Sequence, residues 1–150
     1  NFWNLTPDGK ALYIFAHHGM KEAYAEHSRR QPIPVGFAWV GRAVKTGKPW
    51  GTNDILKDPN LLKDLGSKWE EVVKKQHYRA ILCVPLLSGK KIVGGMCTYF
   101  VKQHDFTDFE MRLMMVAANQ AATAITNARI FGELLAERNK SMSMLNSLSD

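Results

Sequence analysis

Cysteine is scarce in this chain. There are two in 150 residues, Cys83 and Cys97. Their spacing matches neither CxxC nor a zinc-ligand pattern, so a disulfide-stapled scaffold and a zinc module are both excluded, and usage this sparse points to a reducing, cytoplasmic setting. No apolar run approaches membrane-spanning length, and no signal-peptide pattern opens the sequence. GxGxxG, GxxxxGK[ST] and GxSxG are all missing, which removes the sequence warrant for a dinucleotide fold, a P-loop or a nucleophile elbow. No paired carboxylates or Ser/His/Asp set suggests catalysis. The net charge is +6, but the basic pairs Arg29-Arg30, Lys74-Lys75 and Lys90-Lys91 are scattered and no basic cluster is interleaved with aromatics. Specific nucleic-acid binding is therefore not expected.

Proline is absent after Pro85, and Gly132 is the only glycine after Gly95. A long helix can run undisturbed there. Its start is marked by Thr107-Asp108-Phe109-Glu110, which has the form of a capping box, with Phe106 at the staple position. Asp108 and Glu110 also suit the positive end of the helix dipole. The spacing predicts a helix over residues 107–140. Met111, Met114, Met115, Ala118, Ala121, Ala122 and Ile125 recur at three and four residues and give one apolar face for a sheet to cover. Past Asn127 the pattern thins to Phe131, Leu135, Met142 and Leu145, an approximate heptad broken by Arg138 and Asn139. An apolar stripe needs a cover, so a parallel coiled coil in a homodimer is expected.

With 150 residues, one domain with a real core is expected. Residues 1–5 and 11–15 read as a hairpin around the turn Pro7-Asp8-Gly9-Lys10. His17-His18 ends the second strand. Neighbouring strand residues face opposite ways, and with no third ligand in range no metal site is expected. Residues 21–30 read as a short polar helix ended by Pro32-Ile33-Pro34. Residues 36–48 carry a second short helix with Trp39, Val40, Ala43 and Val44 on one face, stopped by Gly47 and Pro49. A brief extended piece at 50–54 leads to a helical stretch over 62–75, with a fresh start at Ser67-Lys68-Trp69-Glu70. Residues 78–87 and 91–101 form a strongly apolar hairpin around Ser88-Gly89-Lys90. Gly94-Gly95 inside its second strand predicts a bulge or a close backbone approach. Strands in hairpins with helices between and after them mean α+β with an antiparallel sheet.

Three stretches together resemble a GAF domain, a small-molecule-sensing fold of many signalling proteins. The first is Gly36-Phe37-Ala38-Trp39-Val40-Gly41-Arg42-Ala43-Val44-Lys45-Thr46-Gly47-Lys48-Pro49 with Asp54 and Asp58-Pro59, in which Ala38 stands where the family often has a second glycine. The second is His77-Tyr78-Arg79-Ala80-Ile81-Leu82-Cys83-Val84-Pro85-Leu86, with His77 where glycine is frequent. The third runs from Gly94 through Ala128 and includes Phe106-Thr107-Asp108-Phe109-Glu110 and Asn127-Ala128. The resemblance implies a six-stranded antiparallel sheet with helices on both faces and a long C-terminal helix. It implies a ligand pocket between the sheet and residues 34–77, and a sensory domain over residues 1–130 that lacks the family's first helix. Residues 131–150 would then be a signalling helix leading to an output domain, as in a sensor histidine kinase of a two-component system. The tail from Ser141 resembles the opening helix of a PAS or kinase module, so the chain is expected to be a piece of a longer protein.

On that architecture the ligand-binding candidates are Trp39, Trp50, Asn53, Trp69, His77, Tyr78, Arg79, Cys83, Cys97 and Tyr99, a mixture of apolar walls and a few polar groups. Arg79 could hold a carboxylate or phosphate, and Trp39 and Trp69 could stack on a flat ligand. Bilin-binding relatives use a cysteine followed by histidine; Cys83 precedes Val84 and Cys97 precedes Thr98, so a covalent bilin is not expected. A haem-binding relative would need an axial histidine, for which His77 is best placed. The Asn-Lys-Phe-Asp-Glu set of cyclic-nucleotide-binding relatives does not assemble. Three functions stay open: a ligand-sensing regulatory domain, a dimerisation module without ligand, and a thiol enzyme akin to the free methionine sulfoxide reductases, which share the fold. The last would require a low-pKa thiolate; Cys83 and Cys97 can face each other across the hairpin, but they do not resemble that enzyme's spacing.

Overall fold

The first hairpin pairs β1 (Phe2–Leu5) with β2 (Ala11–Ala16). The computed structural model describes residues 1–66, 75 and 77–149. Thr6 and Asp8 hold the turn, with the Thr6 hydroxyl donating to Asp8 Oδ1 at 2.6 Å and the Lys10 N–H donating to the same oxygen at 3.0 Å. Helix α1 (Glu22–Arg30) packs back on β2, where Ser28 Oγ accepts the Ile14 N–H at 3.0 Å. Two residues of β3 (Ile33–Pro34) add to the outer edge of β2.

Helix α2 (Ala38–Thr46) ends on Gly47 in the left-handed conformation, φ 67°, as the glycine stop predicts. Strand β4 (Trp50–Thr52) follows, then a 3-10 turn (Ile55–Lys57) capped by Asp54 and helix α3 (Pro59–Leu65) capped by Asp58. The helical stretch expected from residue 62 thus begins at Pro59, where an aspartate cap followed by proline is the stronger start signal. Its continuation, including Ser67-Lys68-Trp69-Glu70, lies outside the described residues.

The central hairpin is β5 (Ala80–Ser88) with β6 (Lys91–Phe100). All pairings in the six-stranded sheet are antiparallel, in the order β3-β2-β1-β6-β5-β4. Trp50–Thr52 pairs only with Ile81–Cys83, so β4 has ended before Pro85. The register shows why proline is tolerated there. Cys97 exchanges both backbone bonds with Asn1 on the β1 side, so Cys83↔Cys97 and Pro85↔Gly95 are non-hydrogen-bonded pairs of the β5–β6 ladder. The missing N–H of Pro85 therefore faces the side where no strand remains, and no ladder bond is lost.

That register also corrects the reading of the cysteines. Cys83 and Cys97 stand directly opposite, Cα to Cα 4.1 Å, and form a disulfide. Side chains come closest at such non-hydrogen-bonded pairs. Motif spacing along the chain was the wrong measure, because the hairpin creates the proximity, and the cysteines give no argument for a reducing compartment. Both options left open for Gly94-Gly95 occur: the register shifts beside Gly94, where Leu86 pairs with Gly94 and Leu87 with Ile92 so that Val93 is the extra residue, and the backbone is closely approached, since a Cβ on Gly94 would meet the Trp3 carbonyl and one on Gly95 would lie 2.6 Å from Val40 Cγ2.

Helices α1 and α2 cover one face of the sheet, around Trp3, Leu12, Ile14, Trp39, Val40 and Ile81. The long helix covers the other face at β5 and β6, where Ala118 and Ala122 sit against Val84, Leu86 and Val93, joined by Met114, Met115 and Ile125. It spans Asp108–Ser149, 42 residues, or about 63 Å at 1.5 Å per residue. The capping box is present in full: Glu110 N–H donates to Thr107 Oγ1 at 3.2 Å, and Thr107 N–H donates to Glu110 Oε2 at 2.8 Å. The helix continues nine residues past its predicted end at 140, because residues 141–149 contain neither glycine nor proline to stop it. From Asn127 to Ser149 every residue is exposed.

Candidate ligand-binding site

Two concavities lie on the covered-by-α1-and-α2 side and at the sheet's β4 end. One is an open cleft of about 470 Å³ bordered by Asn53, Asp54, Asp58 and Asp105. It is wide open to solvent, its Asp54 and Asp58 carboxylates are buried and already paired, and Lys57, Asn60 and Gln103 complete a polar border. The other is a cavity of about 260 Å³ between the sheet and the helices α1 and α2, walled mainly by apolar and aromatic groups. Trp3 of β1 and Ile81, Cys83, Cys97 and Tyr99 of the central hairpin form its floor. Tyr24, His27, Ser28 and Gln31 come from α1 and its end, and Phe37, Ala38, Trp39 and Val40 from the start of α2.

Local folding places these groups. The loop before α2 is drawn tight by Gly36 N–H to Gly41 O at 2.8 Å and Phe37 N–H to Pro34 O at 3.0 Å. Gly36 has φ 92° and Ala38 has φ 52°, the only described non-glycine residue at positive φ. A left-handed backbone at residue 38 is the physical reason glycine suits that position. Trp39 turns its edge inward to Asp58, Nε1 to Oδ2 at 2.8 Å, while Asp58 Oδ1 caps α3 through Asn60 N–H at 2.8 Å and Leu61 N–H at 3.2 Å. The buried carboxylate is thus satisfied by three donors, and α3 is tied to the cavity wall.

Tyr78 and Tyr99 pack edge-on at 4.6 Å between ring centroids. Burial pushes both phenols upward, and Tyr24 with them, so all three are neutral hydroxyls at physiological pH. The Asn1 and Trp3 donors lie near enough to the Tyr99 hydroxyl to offset a little of that burial effect. Even so, Trp3 Nε1 is buried and makes no hydrogen bond of acceptable geometry.

Of the predicted site residues, Trp39, Tyr78, Cys83, Cys97 and Tyr99 converge on the cavity. Trp50, Asn53, His77 and Arg79 do not border it, and Trp69 lies outside the described residues. Trp50 donates to Thr46 Oγ1 at 3.1 Å, with Arg42 over its ring at 5.7 Å. Asn53 bonds Asp105 at 3.1 Å in the open cleft. Arg79 grips Asp54 with two bonds, Nε to Oδ1 at 3.0 Å and Nη2 to Oδ2 at 2.7 Å, so the anion it holds is a neighbouring side chain. His77 is exposed; the cavity's histidine is His27, at its rim. Sequence reasoning missed Trp3, Tyr24, His27 and Phe37. Trp3 alternates inward on β1, a signal that was available; the α1 residues sit on a helix whose buried stripe is narrow, Ala25 and Ser28, and polar overall. The two histidines at 17 and 18 diverge, with His17 Nε2 at 2.7 Å from Glu22. Among the described residues no group of three or more His, Cys, Asp or Glu is placed to hold a metal.

The GAF domain family pattern matches residues 5–125. The chain belongs to the GAF domain family. The fold comparison agrees. This GAF domain is similar to the domain described for a two-component sensor histidine kinase protein of Sinorhizobium meliloti 1021, at 17% identity and TM-score 0.67, covering 92% of this chain and 83% of that one. It is similar to the GAF domain of a phosphoenolpyruvate-protein phosphotransferase of Coxiella burnetii, at 16% identity and TM-score 0.70, over 88% of this chain and 73% of that one. It also resembles type II free methionine-R-sulfoxide reductase of Thermoplasma acidophilum, at 18% identity and TM-score 0.60, over 81% and 74% of the two chains. No curated protein matches the chain. At such identities the structural likeness bears on fold alone. Among the described residues no helix is long and apolar enough to cross a membrane.

Proposed function

We propose that this GAF domain is the small-molecule sensor of a cytoplasmic signal-transduction protein, such as a two-component histidine kinase, and that it reports ligand state through its long helix to an output domain. The observation that carries this is the sharing of β5 and β6 between two faces. Ile81, Cys83, Cys97 and Tyr99 border the cavity on one face, while Val84, Leu86 and Val93 of the same strands support Ala118 and Ala122 of the long helix on the other. A change in strand position on filling the cavity is felt directly under the helix, through contiguous packing. In this reading residues 1–130 sense and residues 131–150 transmit.

A second reading is favoured by the exposed apolar side chains Ile130, Phe131, Leu134, Leu135, Met142, Met144, Leu145 and Leu148. They suit a homodimer through the helix, with or without a ligand in the cavity. The likeness to a methionine sulfoxide reductase keeps a thiol-enzyme reading testable. Both cysteines are tied in one disulfide, so activity would need a reductant to release a thiolate. A methionine sulfoxide turnover assay with and without Cys83→Ser decides it.

Native against denaturing mass spectrometry of the freshly purified chain tests the sensing reading. A mass excess lost on denaturation supports it. The absence of any retained mass, together with no thermal shift from a metabolite library, would leave the dimerisation reading.

A further inference from the structure

We propose that a second copy of this chain docks in parallel along the whole face of the long helix that is turned away from the sheet, a proposal that rests on the homodimer reading and names its seam. The sheet takes one face of the helix: Met114, Ala118, Ala122 and Ile125 pack against side chains of β5 and β6. Phe109 and Ala118 are about two and a half turns apart, hence on opposite sides. On that opposite side Phe109 stands in the open with Leu113 and Val116, which are 57% and 55% exposed although the sheet covers this half of the helix.

The line does not stop where the sheet stops. Carried on in alternate steps of four and three, it passes through Gln120 and Asn127 and reaches Ile130 and Leu134, then Met144 and Leu148, all of them exposed. Glu137 and Ser141 interrupt it, and there the seam is weakest. A repeat of about 3.5 residues is that of two helices wound around each other. The rival line through Phe131, Leu135, Met142 and Leu145 cannot serve over the same length. Traced back in sevens from Leu135 it meets Ala128 and then Ala121, which packs on the sheet side. Arg129 marks that side too, donating to Asn4 of β1 at 3.2 Å. A partner helix on that line would collide with the domain.

Two features select a second copy and its direction. In this register Gln120 and Asn127 fall at a positions. When two identical helices run parallel and in register, each amide faces its own counterpart and can both donate and accept. An apolar partner would leave them unpaired. Glu133 then falls at g and Arg138 at the e position of the next heptad. In a parallel pair g faces e, so Glu133 meets Arg138 of the partner subunit on both sides of the seam. In an antiparallel pair g faces g, and the match is lost.

Cysteine cross-linking of the full chain tests this, with sedimentation of the unmodified chain beside it. Val116→Cys and Leu134→Cys lie on the proposed seam and Leu135→Cys on the rival line. All three sites are exposed, where substitution costs little stability. The parent chain is the control, its own two cysteines being buried. Under mild oxidation the two seam variants should each form the inter-chain disulfide at least about tenfold faster than Leu135→Cys, whose Cβ would point away from its counterpart. Both seam sites can link only if the helices run parallel, since an antiparallel pair brings like residues together at one point at most. Glu133→Arg should weaken the dimer about fivefold, and Glu133→Arg combined with Arg138→Glu should restore it. A dimer that links fastest at Leu135→Cys, or at only one of the two seam sites, would overturn the seam and leave the homodimer standing. Failure of the charge exchange to restore affinity would overturn the parallel pairing. A full chain that sediments as a monomer at tens of micromolar would take down the homodimer reading and the seam together.

Discussion

Ala38 carries the clearest residue-level signature of a constrained site. Its φ of 52° costs an L-residue about 1–2 kcal/mol, and it lies on the cavity wall. Ala38→Gly should therefore stabilise the fold by about 0.5–1 kcal/mol in urea titration, the strain relief less the added freedom of the unfolded chain. A loss of stability would mean the strain is not there. Gly95 makes the opposite case: a Cβ would sit 2.6 Å from Val40 Cγ2, and valine is too stiff to step aside. Gly95→Ala should cost about 1–3 kcal/mol by lifting α2 from the sheet. Asp54 adds a pH dependence. The Arg79 hydrogen bonds hold its carboxyl below the ordinary value, so its contribution is complete above the unfolded pKa of about 3.9 and is lost as pH falls through the lower folded value. The melting-temperature gap between the parent chain and Asp54→Asn should be widest near neutrality and close below pH about 4. A gap that stays constant into acid would remove the ion pair from the account. Arg79 is 41% exposed, which keeps the expected gap small. From sequence alone Arg79 looked like an anion clamp, because residue type states what a side chain can hold but the partner, Asp54, is 25 residues away.

At the scale of elements, the capping box was legible to the residue, since both partners lie within one turn and answer only to each other. Thr107→Ala should cost about 1 kcal/mol, read by chemical denaturation; no loss would mean the long helix is held by packing alone. Where the helix ends was less legible, because its end depends on an absence of stop signals. The hairpins were legible from turn residues and alternation. The facing of Cys83 and Cys97 across the central hairpin was legible from the same turn; the disulfide between them was not, because sparse cysteine usage pointed to a reducing setting. Helix α1 was seen but its role was not: three of its residues face the cavity, yet its polar composition reads as plain surface. Helix α2 was read in place with its buried Trp39, Val40, Ala43 and Val44 face and its Gly47 stop; what escaped the sequence was the inward side of α1, since a short polar helix reveals its buried side only through what it packs on.

The whole molecule is a sheet with a cavity above and a helix below, and the helix outruns the sheet. Among the described residues, those from Asn127 to Ser149 are all exposed, with Arg129 reaching back to donate to Asn4 Oδ1 at 3.2 Å, and this exposure is what supports the reading of a second copy. Truncation after Asn127 should give a folded monomer where the full chain is a dimer, by sedimentation at tens of micromolar. A full chain that sediments as a monomer would contradict the dimer, and an unfolded truncation would show that the exposed half is needed for stability. The central claim is that cavity and helix are coupled through β5 and β6. Amide hydrogen exchange tests it most directly, comparing the chain with its cavity empty and filled by a retained molecule or by a metabolite that shifts its melting temperature. The account predicts slowed exchange both around the cavity and in the long helix at residues 111–125, on the opposite face of the sheet. Protection confined to the cavity face, with the helix unchanged, would contradict it.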